Sequence, residues 1–393
     1  MRFAYFGNFL GHGGPLAEWG TGFVLLLSTH ERIGGIDVYC RVAQDPVKSE
    51  RVPEKVQLRE IFDSLKPFSL LNVLPYLRTG DYELIIFNLI PTTFDNKSTS
   101  NFIALLLPWI TQFLLKKRVV VVYHNSVTTN DPSQLGYNTI YDRVRIRILR
   151  ILEKIMLSRL DVLVLLKEYK KIIDRVVPVN RVQVMETNYL EGIPTLYLND
   201  QMNSVELIKS GGSAIPRVLL YGFWGPQKDL EYSLTILEEA KSRGAKFHLT
   251  LAGGINPHFP GYISYFGTQT QKHSQLIDEF MGYVEEIDLL TLFMKTDLIL
   301  LCYKSTGGQS GVIEIASILG VDVIGIRFPE YDEKAEMRNT VYLYDKEEIS
   351  DKVISYLLNF KQPPSTVLEI GKKQAESLSK IMKSLEKFIK SSK

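Results

Sequence analysis

The chain has 393 residues, 45% hydrophobic and 23% charged, a balance that excludes a disordered protein and exceeds what one ordinary core needs. Its 46 Lys and Arg against 44 Asp and Glu leave a net charge of +2, too small to argue for a nucleic-acid partner. The 2 cysteines, Cys40 and Cys302, lie in or beside apolar runs; they are expected as buried thiols in a reducing compartment and cannot build a metal site.

Taken in chain order, "MRFAYFGNFLGHGG" has one arginine and then glycines, so no signal peptide is expected. A strand over Arg2–Gly7 leads into a glycine-rich segment at 7–23, a weak signal on its own and equally that of a ligand-free turn. Further strands are expected at Ile36–Val42, Glu83–Ile90, Val119–His124, Asp161–Leu166 and Val182–Thr187. Several are apolar on both faces, as in parallel sheets covered by helices, and they alternate with helical patterns such as Tyr141–Leu160. That alternation predicts a doubly wound sheet.

The longest apolar run, Phe102–Leu115, is interrupted by Pro108, Thr111 and Gln112 and is shorter than the roughly 20 residues of a spanning helix. It closes on Lys116, Lys117 and Arg118, while Arg143, Arg147 and Arg150 share one helical face. Such combinations suit peripheral contact with an anionic membrane. A buried crossover helix with a solvated end explains the first stretch as well.

Residues 1–200 form the expected first domain, and polar 201–216, with Gly-Gly-Ser and a proline, the expected linker. Alternation then restarts over 217–365, with strands expected at Arg217–Gly222, Lys246–Gly254, Asp297–Tyr303, Asp322–Ile326 and Val341–Tyr344. The tail, 366–393, has helical spacing and a lysine-rich face and is expected to pack back on the first domain. The expected architecture is two Rossmann-like α/β domains facing across a cleft.

In such sheets ligands bind outside the carboxyl ends of the strands, at helix N-termini. Two strand exits of the second domain carry chemistry. In "STGGQSGVIEIASILG" (Ser305–Gly320), Gly307, Gly308 and Gly311 let backbone approach a ligand, and the helix-start amides favour an anion. Ser310 suits a helix N-cap. Glu314, one turn in, is placed either to accept hydrogen bonds from paired hydroxyls or to sit on the surface. In "LLYGFWGPQKDLEYSL", Lys228 stands just before a helix, as a phosphate partner or as an ordinary exposed lysine.

These stretches, with "HLTLAGG" and "MGYVEEIDLLTLFMKTDLILLCYKS" between them, resemble in order and spacing the donor domain of GT-B glycosyltransferases, and in particular the retaining family-4-type group. The resemblance covers about 217–350 well and the first half loosely. It implies transfer of a sugar from a UDP- or GDP-linked donor to a glycan or lipid-linked acceptor, in the cytoplasm. Carried over by position, Gly222 is the strand-end glycine, Lys228 the diphosphate lysine and Glu314 the ribose-binding glutamate. His124, at the end of its strand, resembles the histidine that contacts the donor sugar, its alternative being a histidine satisfied by local backbone groups. Gly13 and Gly14 fall in the loop beside acceptor and donor phosphate, with His12 a weaker candidate.

Two positions depart from the pattern: Phe223 replaces the usual arginine and Thr306 the first glutamate, with Thr306, Gln309 and the amides of Gly307–Gly311 left to bind sugar hydroxyls. No Asp-x-Asp occurs, so neither a metal nor a cofactor is expected, and His124, Lys228 and Glu314 are the catalytic candidates. A silent GT-B protein and a GT-B epimerase are the competing readings.

Overall fold

A computed structural model describes residues 1–9, 15–42, 52–63, 66–89, 98–124, 139–176, 181–185, 206–209, 214–257, 259–284, 286–305, 310–336, 339–361 and 366–391. They divide into two compact units.

The first unit is an alternation of strands and helices. It runs β1 (Arg2–Phe6), α1 (Pro15–Ser28), β2 (Gly35–Arg41), β3 (Val56–Phe62), a 3-10 turn (Pro67–Asn72), α2 (Val73–Thr79) and β4 (Leu84–Leu89). There follow α3 (Ser98–Phe113), β5 (Val119–Tyr123), α4 (Ile140–Leu157), β6 (Asp161–Val164), α5 (Lys167–Val176) and β7 (Val182–Val184). All seven strands pair in parallel in the order β3-β2-β1-β4-β5-β6-β7. Every residue of β4 and β5 is buried, because helices cover both faces of a central parallel strand. β3 escapes sequence reading: Gln57, Arg59 and Glu60 interrupt its apolar pattern because it is the sheet edge.

The second unit begins in the stretch expected as a linker. Residues Glu206–Lys209 form β8, which pairs antiparallel with β15 (Thr366–Glu369), a partner far along the chain. Between them lie β9 (Arg217–Tyr221), α6 (Leu230–Ser242), β10 (His248–Ala252), α7 (Tyr262–Lys272), β11 (Glu279–Met281) and α8 (Glu286–Met294). β12 (Leu298–Leu301), α9 (Gly311–Ile318), β13 (Asp322–Ile326), α10 (Pro329–Glu336), β14 (Val341–Tyr344) and α11 (Ile349–Leu358) complete it. The parallel sheet order is β11-β10-β9-β12-β13-β14. Relabelled within its own unit that is 3-2-1-4-5-6, the same winding as the first sheet and the doubly wound order that binds ligands where the strand order reverses. The reversal falls between β1 and β4 in one unit and between β9 and β12 in the other.

α6 illustrates how the helices are fixed. Leu230, Leu234, Ile236, Leu237 and Ala240 are buried on the sheet, and Asp229 caps the helix by accepting a hydrogen bond from the Tyr232 amide. Truncating one such leucine costs about 2–5 kcal/mol. The last helix, α12 (Ile370–Ser391), belongs to the first unit from Gly371 onward. There Glu386 pairs with Arg32, and the Ile389 carbonyl accepts from Arg118. The tail expected as wholly helical starts with β15 instead, since "TVLE" is strand-forming sequence with β8 available to pair it.

Candidate functional site

The second unit places its chemistry at the reversal between β9 and β12. β9 ends at Tyr221, and Gly222 follows with φ +129°, a conformation that favours glycine. A side chain there would also be obstructed: a Cβ on Gly222 would lie 2.0 Å from Lys228 Nζ. The turn from 222 to 229 is stitched to the exit of β10 by Trp224, whose amide donates to the Gly254 carbonyl and whose Nε1–H donates to the Ala252 carbonyl. On the other side it is tied to β12, through the Asp229 amide to the Cys302 carbonyl and a bridge between Lys228 and Tyr303.

Lys228 is thereby held with its ammonium inward, 9% exposed, rather than waving in solvent. Nζ donates to the Tyr221 carbonyl at 2.9 Å and stands 5.4 Å from the Trp224 ring centre and 5.1 Å from that of Tyr303. Burial lowers its pKa from 10.5 to about 7, because the aromatic walls only partly replace water around the cation. The void beside it, bounded by Asp229, Ser233, Cys302 and Tyr303, measures about 10 Å³, room for a water and no organic ligand.

Beyond β12, Ser310 sits at the N-cap of α9 without a side-chain capping bond. Glu314 lies in the first turn of α9 and is 1% exposed, which removes the surface alternative. Ile313, Ile315, Ile318 and Leu319 of the same segment are also buried. Its Oε1 is 2.5 Å from Lys334 Nζ on α10. Lys334 carries no motif and was invisible to sequence reading; only the packing of α10 reveals it. Where an arginine was expected, Phe223 lies 6.3 Å from the Tyr283 ring, an apolar pair.

In the first unit, His124 follows β5 and is buried. Its Nε2 is 2.5 Å from Asn88 Oδ1, and Asn88 Nδ2 donates to Tyr5 Oη at 2.7 Å. With the Asn88 amide so oriented, Nε2 carries the proton, and Nδ1 is the acceptor. Burial lowers the His124 pKa to about 3, so the ring is neutral. Trp19 of α1 meets it edge to face at 4.7 Å. Helix α1 approaches this network closely: a Cβ on Gly20 would fall 2.0 Å from Tyr5 Oη. His124 Nε2 is satisfied by a side chain of β4. The sequence held one clue to Asn88, a lone amide inside "ELIIFNLI".

Gly13, Gly14, His12 and the run Thr306, Gly307, Gly308 and Gln309 lie outside the described residues. Cys40 and Cys302 are buried free thiols, with burial pushing each pKa up to about 12. Among the described residues no group of three His, Cys, Asp or Glu could hold a metal ion. No helix among them is long and apolar enough to cross a membrane.

No family model matches the sequence, and no curated protein is significantly similar to it. Solved structures do match along the whole chain. Sucrose-phosphate synthase from Thermosynechococcus elongatus aligns over 100% of both chains with a TM-score of 0.68 at 14% identity. The fold is GT-B. The GT-B protein HepE of Anabaena, in complex with UDP-glucose, aligns over 100% of both chains with a TM-score of 0.63 at 14% identity. UDP-GlcNAc 2-epimerase from Methanocaldococcus jannaschii, with a TM-score of 0.57, covers 98% of this chain and 100% of its own at 16% identity. At such identities the likeness establishes the GT-B architecture, and the same architecture carries transfer in one relative and epimerisation in another.

Proposed function

We propose that this GT-B protein is a retaining glycosyltransferase that moves a sugar from a nucleotide-linked donor to a glycan or lipid-linked acceptor, on the cytoplasmic side and at the membrane surface. The observation that carries the reading is Lys228: an ammonium buried between two aromatic rings at the strand-order reversal, beside the Glu314 helix. A UDP-linked sugar is favoured over a GDP-linked one because a structural relative holds UDP-glucose.

The chemistry follows from charge. As the sugar departs, negative charge grows on the nucleoside diphosphate. Lys228, helped by the amides entering α9, stabilises that charge more in the transition state than in the ground state. An approaching diphosphate draws a proton onto an amine whose own pKa is near 7. Glu314, oriented by Lys334, accepts from the ribose hydroxyls. In the first unit His124, neutral and held through Nε2 by Asn88, keeps Nδ1 as an acceptor. Neither a metal nor a cofactor takes part in this scheme.

One observation favours a second reading, a GT-B protein that binds nucleotide without transfer: the Phe223–Tyr283 contact occupies the place of a bidentate phosphate partner. Thermal-shift measurements with a panel of nucleoside diphosphates, followed by hydrolysis of the matching nucleotide-sugar, separate the two. Transfer predicts slow hydrolysis that Lys228→Ala and Glu314→Ala abolish. A stabilising nucleotide with no turnover of any nucleotide-sugar, with or without acceptors, leaves the silent reading.

A further inference from the structure

Helix α4 has three faces. Ile146, Leu149, Glu153 and Met156 are buried against the sheet, with Glu153 accepting a hydrogen bond from Tyr123 at 2.7 Å. On the opposite side Ile140, Val144, Ile148, Ile151 and Ile155 are between 42% and 79% exposed. At about 100° per residue these five fall in one arc along the helix. Beside it runs an exposed basic stripe of Arg143, Arg147, Arg150 and Lys154. The neighbouring α3 adds exposed Leu106 and Phe113, with Leu114 just beyond its end. A helix that met only water would turn polar residues outward here.

We propose that this face of α4 rests on an anionic membrane surface. The branched aliphatic side chains enter the headgroup–acyl boundary, and the basic stripe meets lipid phosphates. With 18 residues the helix lies about 27 Å along such a surface. A second copy of the chain fits less well, because pairing α4 with itself sets basic stripes together. Among the described side chains of α4 the one carboxylate, Glu153, is buried and cannot answer them. The inference rests on the membrane-surface part of the proposed function and not on its chemistry.

The test is co-sedimentation of the full chain with mixed phosphatidylcholine–phosphatidylglycerol vesicles and with phosphatidylcholine alone. Binding is expected to the mixed vesicles only, and about 1 M salt should release it. Arg143→Gln/Arg147→Gln should weaken partitioning roughly 30-fold, about fivefold per lost charge. Ile148→Ser/Ile151→Ser should abolish it, with circular dichroism and nucleotide affinity unchanged in both variants. Equal binding to neutral vesicles, or binding untouched by either pair, overturns the proposal. So does a solution dimer, seen by light scattering, that the isoleucine pair dissolves while no vesicle is bound. Nucleotide affinity is read separately, so absence of nucleotide binding would count against the donor site and leave the lipid result standing.

Discussion

Lys334 Nζ lies 2.5 Å from Glu314 Oε1, with both side chains nearly closed to solvent. A buried carboxylate keeps its charge only with such a partner, and removing one member leaves the other uncompensated, at a cost of about 3–5 kcal/mol. Lys334→Met should therefore lower the midpoint of denaturant unfolding of the second unit markedly. Adding Glu314→Leu should restore much of the loss. Additive losses in this double-mutant cycle would mean the two residues do not act as a pair.

With Lys228 as the proposed diphosphate partner, nucleotide binding should depend on pH. Its folded pKa is about 7 against 10.5 in the unfolded chain. Above pH 7 a bound diphosphate must recruit a proton, so titration calorimetry at pH 8 in buffers of differing ionisation enthalpy should register proton uptake. The affinity of UDP should fall as pH rises past 7, and Lys228→Arg should flatten the fall. Stability moves the other way. Between pH 7 and 10.5 the unfolded state holds the extra proton, so stability rises with pH there, by at most about 1.4 kcal/mol per unit from this group. Lys228→Met should remove that slope.

Gly222→Ala puts a methyl group on the lysine amine and strains a φ of +129°. The expected result is a UDP affinity lost out of proportion to stability, since the turn can shift only by moving Lys228. Unfolding midpoints and calorimetry on the same preparation check this. Unchanged affinity would detach Gly222 from the site.

His124 should not titrate at ordinary pH. With its pKa lowered to about 3 by burial, its ring carbons should show no shift change between pH 5 and 8 in NMR spectra. The unfolded chain takes up that proton below about 6.5, so this histidine's contribution to stability is lost as pH falls from 6.5 toward 3. Replacing Asn88 with Leu removes the partner of His124 Nε2 and one of the two bonds of Tyr5 Oη, which keeps the Asn8 carbonyl. Stability, read from the unfolding midpoint, should fall by about 1–3 kcal/mol for the orphaned imidazole.

Much of this was legible in the sequence because it depends on local pattern. Strands such as Val119–Tyr123 announce themselves by being apolar on both faces, and Lys228 and Glu314 by standing where strands give way to helices. What was not legible depends on distant pairing. β8 and β15 exist because residues 206–209 and 366–369 meet, and neither segment alone says so. The strand order that puts Lys228 at a reversal, the burial of its amine and the arrival of Lys334 beside Glu314 are likewise products of packing. Asn88 lay between the two cases, a polar residue in an apolar run whose reason, Tyr5 and His124, is 83 and 36 residues away.

The central claim is that the Lys228 turn and the Glu314 helix together hold a nucleoside diphosphate. Calorimetric titration of UDP into the native chain, Lys228→Met and Glu314→Gln tests it most directly. Binding by the native chain, weakened on the order of tenfold or more in each variant as a charge-assisted hydrogen bond of about 1.5–3 kcal/mol is lost, is the predicted result. Equal affinity in all three proteins, or no binding of UDP or any other nucleoside diphosphate by the native chain, would contradict it.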